Sequence, residues 1–316
     1  MKNKRSVWKL VSKNYQYILL LIMILISALI SDKFFTGINI SNLLKQNSAI
    51  GIVAIGELIV ILTGGIDLSV GAIVSMTTVV VSLLLKSGYS ITVSIIITLL
   101  VGILAGIING ALITKLKIIP FIATLATQNI FNGIGLLLST GRQVFYENDR
   151  FLLIGSMEFH FIPLIAIVWL VIALIVNYML EHTRTGRYIK GFGGNRESVR
   201  LSGVDIQKTE MTAYVISGLL CSIGGVIMAS RLTLGSNSVG SGWELTGIAG
   251  TVIGGGSMTG GIGSVGGVIV GTLVMGLIGN IMNLMKVSIY WQQIVKGAII
   301  LIAVYSSLIR NKEVSK

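Results

Sequence analysis

The stretch LTGGIDLSVG, residues 62–71, sets Asp67 and three glycines between two long apolar runs. An aspartate at a bilayer centre costs about 2.5–3.5 kcal/mol on insertion scales. The chain must therefore satisfy the charge locally or keep it near water. Non-helical backbone at membrane depth is tolerated only where protein or a water-filled cavity surrounds it, and transporters place such broken helices at their pathways. Asp67 can also act as the N-cap of a span beginning at Leu68, with Gly64 and Gly65 permitting the turn. On either reading the break ends one span and starts another beside a polar cavity.

Composition makes the membrane the natural solvent. The 316 residues are 53% hydrophobic and only 11% charged, and the mean hydropathy is +0.89. Soluble domains carry about 25% charge. The 39 glycines against two prolines suit close helix packing through small residues. A single cysteine, Cys221, excludes an internal disulfide and reads as a small buried residue. The basic start MKNKRSVWKLVSK leads into an apolar run with no small-residue cleavage site, so that run reads as a first span.

A span needs about 20 apolar residues. Candidates are 15–31, 48–63, 68–85, 91–114, 120–139, 161–180, 211–230, 245–256, 265–285 and 290–308, the second and eighth being short. The expected fold is all-α: a polytopic membrane protein of about ten transmembrane helices with two glycine-rich breaks, forming a single transmembrane domain over residues 1–316. Lys and Arg set the orientation. With Lys2, Lys4, Arg5, Lys9 and Lys13 in the cytoplasm, Lys115 and Lys117, the loop at 181–210, and Arg310, Lys312 and Lys316 fall on the same side. Both termini are then cytoplasmic. The outer side receives only Lys33, Lys45, Lys86, Arg142, Arg150, Arg231 and Lys286. The +12 net charge is mostly a topology signal, and no folded basic domain offers a nucleic-acid surface.

The second break is GGGSMTGGIGSVGG, residues 254–267. TGGIDLSVGAIV at 63–74 resembles TGGIGSVGGVIV at 259–270 apart from one missing residue, which suggests an internal repeat. Both breaks fall on the cytoplasmic side. The polar residues inside spans are the candidate substrate path: Glu57, Asp67, Asn109, Thr124, Gln128, Asn132, Asn280 and Asn283. Thr124, Gln128 and Asn132 share one helical face at i, i+4, i+8. Such a stripe faces protein or water rather than lipid, either as substrate contacts or as interhelical hydrogen bonds. Amides suit a neutral polyhydroxylated substrate better than an ion. Lys296 is shallow enough to snorkel outward or to pair with a carboxylate.

His160 and His182 lie far apart and make no metal-ligand spacing, no nucleophilic pair is readable, and no phosphate-binding loop is present. No metal or cofactor is expected, and ATP-driven transport would need an ATPase on another chain. In the loop at 181–210, Asn195 is a natural N-cap and Gly203 a natural stop. RESVRLS between them makes a short helix of about two turns, with Arg196 and Arg200 as a basic i, i+4 edge and Val199 and Leu201 as apolar contacts. It suits a docking knob for a cytoplasmic partner; a merely solvated loop helix is the plainer alternative.

Six ordered blocks give the chain a resemblance to the ribose/galactoside-type permease subunits of bacterial ABC sugar importers, in the branched-chain amino acid/ribose permease superfamily. They are VILTGGIDLSVGAIVS, KIIPFIATLAT, HTRTGRYIKGFGGNRESVRLSGV, GLLCSIGGVIMASRL, ELTGIAGTVIGGGSMTGGIGSVGG and YWQQIVKGAIILIAV. The resemblance implies a type II importer-like fold and a monosaccharide substrate. It also implies a second permease subunit, a cytoplasmic ATP-binding cassette ATPase and an extracytoplasmic sugar-binding protein, with no enzymatic activity in this chain. By the same resemblance residues 186–203 form the ATPase-coupling segment: Gly186, Arg187, Gly193, Gly194, Asn195, Arg196, Glu197, Val199, Arg200, Leu201, Ser202 and Gly203. Glu57 departs from the implied pattern, where an uncharged residue is usual. The competing reading is a stand-alone secondary transporter using Glu57 and Asp67 to bind a coupling ion.

Overall fold

In the computed structural model, which describes residues 15–314, a helix covers each of the apolar stretches. They are α1 (Tyr15–Ile30), α2 (Gly37–Leu62), α3 (Val70–Lys86), α4 (Ile91–Thr114), α5 (Pro120–Ser139), α7 (Leu164–His182), α10 (Ile206–Leu232), α11 (Trp243–Ile253), α12 (Val265–Leu284) and α13 (Ile289–Val314). The basic start with Lys2, Lys4, Arg5, Lys9 and Lys13, and the terminal Lys316, lie outside the described residues. Among the described residues six helices are long and apolar enough to cross a membrane: α2, α4, α5, α7, α10 and α12. The shorter apolar helices are α1, α3 and the first part of α13.

Two spans begin earlier than hydropathy suggests. The second, expected as a short run at 48–63, is a 26-residue helix from Gly37. Its polar first turns discourage a hydropathy reading, but their groups are satisfied. Thr36 caps the helix by accepting from the Asn39 N–H at 3.3 Å. Asn39 and Asn280 exchange side-chain hydrogen bonds at 3.2 and 2.8 Å, and Asn47 donates to the Leu43 carbonyl at 2.7 Å. Likewise α10 starts at Ile206 rather than 211, because Asp205 caps it through the Lys208 N–H at 3.0 Å. Such caps satisfy amide donors that a helix start otherwise leaves unpaired.

Helix α2 is the axis of the bundle: every residue from 51 to 63 is buried. Around it pack α10, α11, α12 and α7. Glycine makes two of the closest approaches. Gly102, Gly106 and Gly110 recur at four-residue spacing on α4, and α10 lies directly on them: a Cβ on Gly218 would overlap the Gly102 carbonyl oxygen and come within 2.9 Å of the Gly106 nitrogen. Helices α11 and α12 meet in the same way, Gly271 against the Gly250 carbonyl and Gly267 against that of Gly254. Between lipid-compatible helices no hydrophobic gain separates bundle from lipid, so contact at backbone distance supplies the packing energy. Leu100, Leu104, Leu170 and Leu174 are exposed on the bundle's outside, as an acyl-chain solvent allows.

The connections gather at two ends. One holds the non-helical segments 63–69 and 254–264 and two short helices, α8 (Arg184–Gly194) and α9 (Arg196–Leu201). The other holds α6 (Asp149–Ser156) and two small antiparallel ladders: β1 (Val144–Phe145) with β4 (Leu234–Gly235), and β2 (Glu158–Phe159) with β3 (Ile162–Pro163). Glu158 fastens this cap to α2. It pairs with Lys45 and accepts from Ser41 at 2.8 Å. The Lys45 ammonium, and then the Ser41 hydroxyl, hold its carboxyl below the usual glutamate range. Cys221 is free and buried.

Candidate functional site: a polar seam, a cavity and a loop with two short helices

The residues singled out in the spans fall into three groups. The first is a buried seam around the break at 63–69. Asp67 does not cap a helix starting at Leu68. The helix starts at Val70 with Ser69 at the cap position, and Ser69 makes no side-chain cap bond. Instead Asp67 Oδ1 accepts both the Ser69 N–H at 3.0 Å and the Ser69 hydroxyl at 2.6 Å. This is an Asx-type turn, and it lies before the helix because the bonded amide is only two residues on. Nor does the charge stay near water, since Asp67 is 1% exposed. The Ser217 hydroxyl of α10 donates to Oδ2 at 3.4 Å. Glu57 Oε1 accepts the Asp67 N–H at 3.2 Å, while its Oε2 is buried without a partner.

The seam runs on into the neighbouring helices. Asn109 of α4 donates to Ser69 Oγ at 2.7 Å and accepts from Thr127 of α5 at 2.6 Å. The Thr124 hydroxyl reaches the Ile66 carbonyl at 3.1 Å. Glu57, Asp67, Asn109 and Thr124 are therefore brought together and fully buried. Ser69, Thr127 and Ser217 belong with them, and the sequence reading missed all three. Their signal was small hydroxyls facing known polar positions, which hydropathy treats as neutral.

The second group faces open space. Gln128 and Asn132 line a cavity of about 330 Å3 together with Gly71 and Ser75 of α3, Asn237, and Glu244 of α11. Gln128 Nε2 donates to Glu244 Oε1 at 3.4 Å, and Asn237 donates to the Asn132 carbonyl at 3.2 Å. The predicted stripe on α5 thus divides: Thr124 is locked into the seam, and Gln128 and Asn132 look into the cavity. Glu244 and Asn237 were not foreseen. Elsewhere, Asn280 is spent on Asn39. Asn283 accepts from Gln292 at 2.9 Å in a groove of about 540 Å3 between α12 and α13 that Lys296 also lines. Among the described residues Lys296 has no carboxylate partner.

The third group is the loop at 181–210, which is more ordered than a single short helix. Ahead of α9 stands α8, capped by Thr183 through the Gly186 N–H at 3.3 Å. It is amphipathic: Ile189 and Phe192 are buried, Arg187 and Tyr188 exposed. Its tail is wedged between the two breaks. A Cβ on Gly193 would overlap the Leu62 carbonyl and the Gly261 nitrogen, and lie 2.9 Å from Gly260 C. Those strands of backbone also touch each other, the Gly261 N–H donating to the Leu62 carbonyl at 2.9 Å. Gly64 and Gly260 occupy equivalent places in the repeated TGG and share a left-handed φ, +77° and +91°. The helices that follow, α3 and α12, both start at the Val of Ser-Val.

Asn195 caps α9 through the Ser198 N–H at 3.0 Å, and Gly203 ends it at φ +78°. The expected basic edge is not free. Arg196 meets Glu210 at 3.5 Å and stacks on Phe192 at 4.9 Å; Arg200 meets Glu197 at 2.5 Å. Hydrogen bonds from Arg200 hold the Glu197 carboxyl below its usual range. Acids three positions before Arg200 and fourteen beyond Arg196 neutralise what an i, i+4 count leaves positive. Val199 packs over Gly191, Ser202 donates to the Ser198 carbonyl, and Leu201 stands 73% exposed. Gly186 lies against the backbone of Met179 and Leu180.

Apolar helices around a polar seam, with two short helices at one end, fit a multi-pass membrane permease. The chain belongs to the family described as "Branched-chain amino acid transport system / permease component", which matches residues 39–304. It is 41% identical over 287 residues to the ribose import permease protein RbsC of Bacillus subtilis (strain 168), covering 90% of this chain and 89% of that one. The RbsC of Escherichia coli (strain K12) is 37% identical over 300 residues, covering 94% and 92%. The L-arabinose transport system permease protein AraH of Escherichia coli (strain K12) is 36% identical over 293 residues, covering 92% and 89%. No solved structure matches the chain. The family resemblance carried by the six blocks holds, and the chain is a transport component rather than an enzyme.

Proposed function

We propose that this chain is the permease subunit of an ATP-binding cassette importer and carries a neutral monosaccharide inward. One observation carries the reading: relatives matched across about nine-tenths of both lengths are ribose and L-arabinose permeases. On this reading residues 1–316 act as one permease domain of ten spans with two glycine-rich breaks, both termini in the cytoplasm. Gln128 and Asn132 contact the passing sugar, while Glu57, Asp67, Asn109 and Thr124 hold the first break in shape beside it. A cytoplasmic ATPase docks on α8 and α9, where exposed Leu201 offers an apolar contact. A sugar-binding protein delivers substrate at the opposite end. A second permease subunit covers the groove bearing Asn283, Gln292 and Lys296, since polar groups at membrane depth need protein or water rather than acyl chains. Asn280 fixes α12 to α2 within that wall.

The test is reconstitution in liposomes with the ATPase and binding protein. Sugar accumulation should require ATP and survive ionophores that collapse proton and sodium gradients. Uptake by this chain alone, driven by an ion gradient and indifferent to ATP, would overturn the assignment in favour of a secondary transporter.

A further inference from the structure

The cavity beside the first turn of α3 has an unusual electrical character. Its lining includes one carboxylate, Glu244, and three amides, Gln128, Asn132 and Asn237, but no Lys, Arg or aromatic side chain. Among the described residues no ion pair involves Glu244. Its Oε1 receives one long hydrogen bond from Gln128, 3.4 Å, and its Oε2 is buried with no donor. Asn237 Oδ1 is also buried without a donor. Gly71 lets the carboxylate lie against α3, because a Cβ there would come within 2.5 Å of Glu244 Oε2. The carboxylate of this lining is thus only weakly engaged, by one long bond at Oε1, while Oε2 packs against Gly71 and Asn237 Oδ1 against Gly135, although buried polar atoms ordinarily find partners. Its volume of about 330 Å3 sits at the low end of the ~300–1,000 Å3 of small-ligand pockets.

We propose that this cavity is a binding station for the neutral sugar within the permease, and that Glu244 sets its selectivity. The hydroxyls of a sugar are donors and can bond the Glu244 carboxylate and the side-chain amide of Asn132, both of which line the cavity. An anionic sugar brings negative charge against Glu244 with no cation in the lining to offset it, so the station rejects sugar acids and sugar phosphates. Without an aromatic platform the grip stays weak, as a site that must release its occupant requires. The sugar class rests on the importer reading above; the exclusion of anions rests on the lining alone.

Cys221 is the only cysteine and is buried, so a reporter thiol can be read without background. Ser238→Cys places one on the cavity lining. The full chain in nanodiscs is alkylated with a small maleimide in the presence of D-ribose, L-arabinose or D-ribonate. A bound sugar slows the reaction by 1 + [S]/Kd, about elevenfold at ten times Kd. A neutral pentose should protect and ribonate should not; adding Glu244→Gln should weaken protection by the pentose and let ribonate protect equally. Gln128→Ala, which keeps the carboxylate, should still exclude ribonate. No protection by either pentose, or equal protection by ribonate and pentose in the parent, overturns the station. That comparison needs no Glu244 variant, so it stands even where Glu244→Gln does not fold. ATP-driven uptake measured in parallel separates the two readings: uptake without protection removes the station and keeps the importer, whereas protection without ATP-driven uptake does the reverse.

Discussion

Gly193 of α8 is the tightest point between the pair of short helices and the bundle, so Gly193→Ala is the most informative single change. The added methyl overlaps the Leu62 carbonyl and the Gly261 nitrogen and stands 2.9 Å from Gly260 C. All three are backbone atoms, so no rotamer change relieves the clash. Either α8 lifts off, or Leu62 and Gly261 part and lose their 2.9 Å hydrogen bond. Overpacking of this kind costs about 1–3 kcal/mol, and a lost hydrogen bond adds roughly 0.5–1.5 kcal/mol. Since 1.36 kcal/mol is tenfold, uptake that depends on this contact should fall by about tenfold or more. Gly194→Ala is the control, because a Cβ there meets nothing within 4 Å. The assay compares uptake and ATPase rate in proteoliposomes, with thermal unfolding of the purified chain alongside. Gly193→Ala should depress uptake more than ATPase activity and lower the unfolding midpoint, while Gly194→Ala tracks the wild type. Equal behaviour of the two variants would refute the wedge.

Asp67→Asn should retain most transport and Asp67→Leu little. The amide keeps an oxygen for both Ser69 donors, whereas leucine strands buried polar groups at about 1–3 kcal/mol each; equal uptake at equal expression would count against the seam's role. Gly218→Ala should destabilise the chain in a melt, because its Cβ overlaps the Gly102 carbonyl, while Gly133→Ala, with open space around it, should not. Lys45 and Ser41 depress the Glu158 carboxyl, so their contribution is fully present above the ordinary glutamate value of about 4.3 and is lost as pH falls through the lower folded value. Glu158→Gln should remove that part of the acid sensitivity, read as a smaller difference in unfolding midpoint between neutral and acidic buffer.

Hydropathy located every long helix because apolar runs in lipid leave little else to form, yet it misplaced two starts. Asn39, Ser41 and Asn47 lower the hydropathy of α2, and the partners of the first two, Asn280 and Glu158, lie more than a hundred residues away. Periodicity put Thr124, Gln128 and Asn132 on one face, which is correct geometry. It could not tell that the first reaches the Ile66 carbonyl while the other two border a cavity. Glu244 escaped notice for a similar reason: it opens an 11-residue helix, and the cavity exists only once α3, α5 and α11 meet. In the loop at 181–210, Asn195 and Gly203 announced α9, but α8 hid behind its glycines. Gly193 looks like a helix breaker until the crowding at Leu62 and Gly261 explains why no side chain fits.

The two breaks and the cavity belong to one continuous body of contacts. The tail of α8 bears on Leu62, the last residue of α2, and on Gly261 in the second break. Five residues beyond Leu62, Asp67 is held by Ser69, and Ser69 by Asn109. Asn109 grips Thr127 at 2.6 Å, and the next residue on α5 is Gln128, which faces Glu244 across the cavity. Each link is backbone or a buried hydrogen-bonded group as far as Thr127, and the last pair, Gln128 and Glu244, is half-buried. Packed interiors do not deform smoothly but shift between discrete arrangements. The tail of α8 thus meets the first break at backbone distance, with no loop between them. Asp67 accordingly belongs inside the bundle: its carboxyl oxygens hold the turn through Ser69 and Ser217, and the turn lies between the helix pair at one end and the cavity in the bundle.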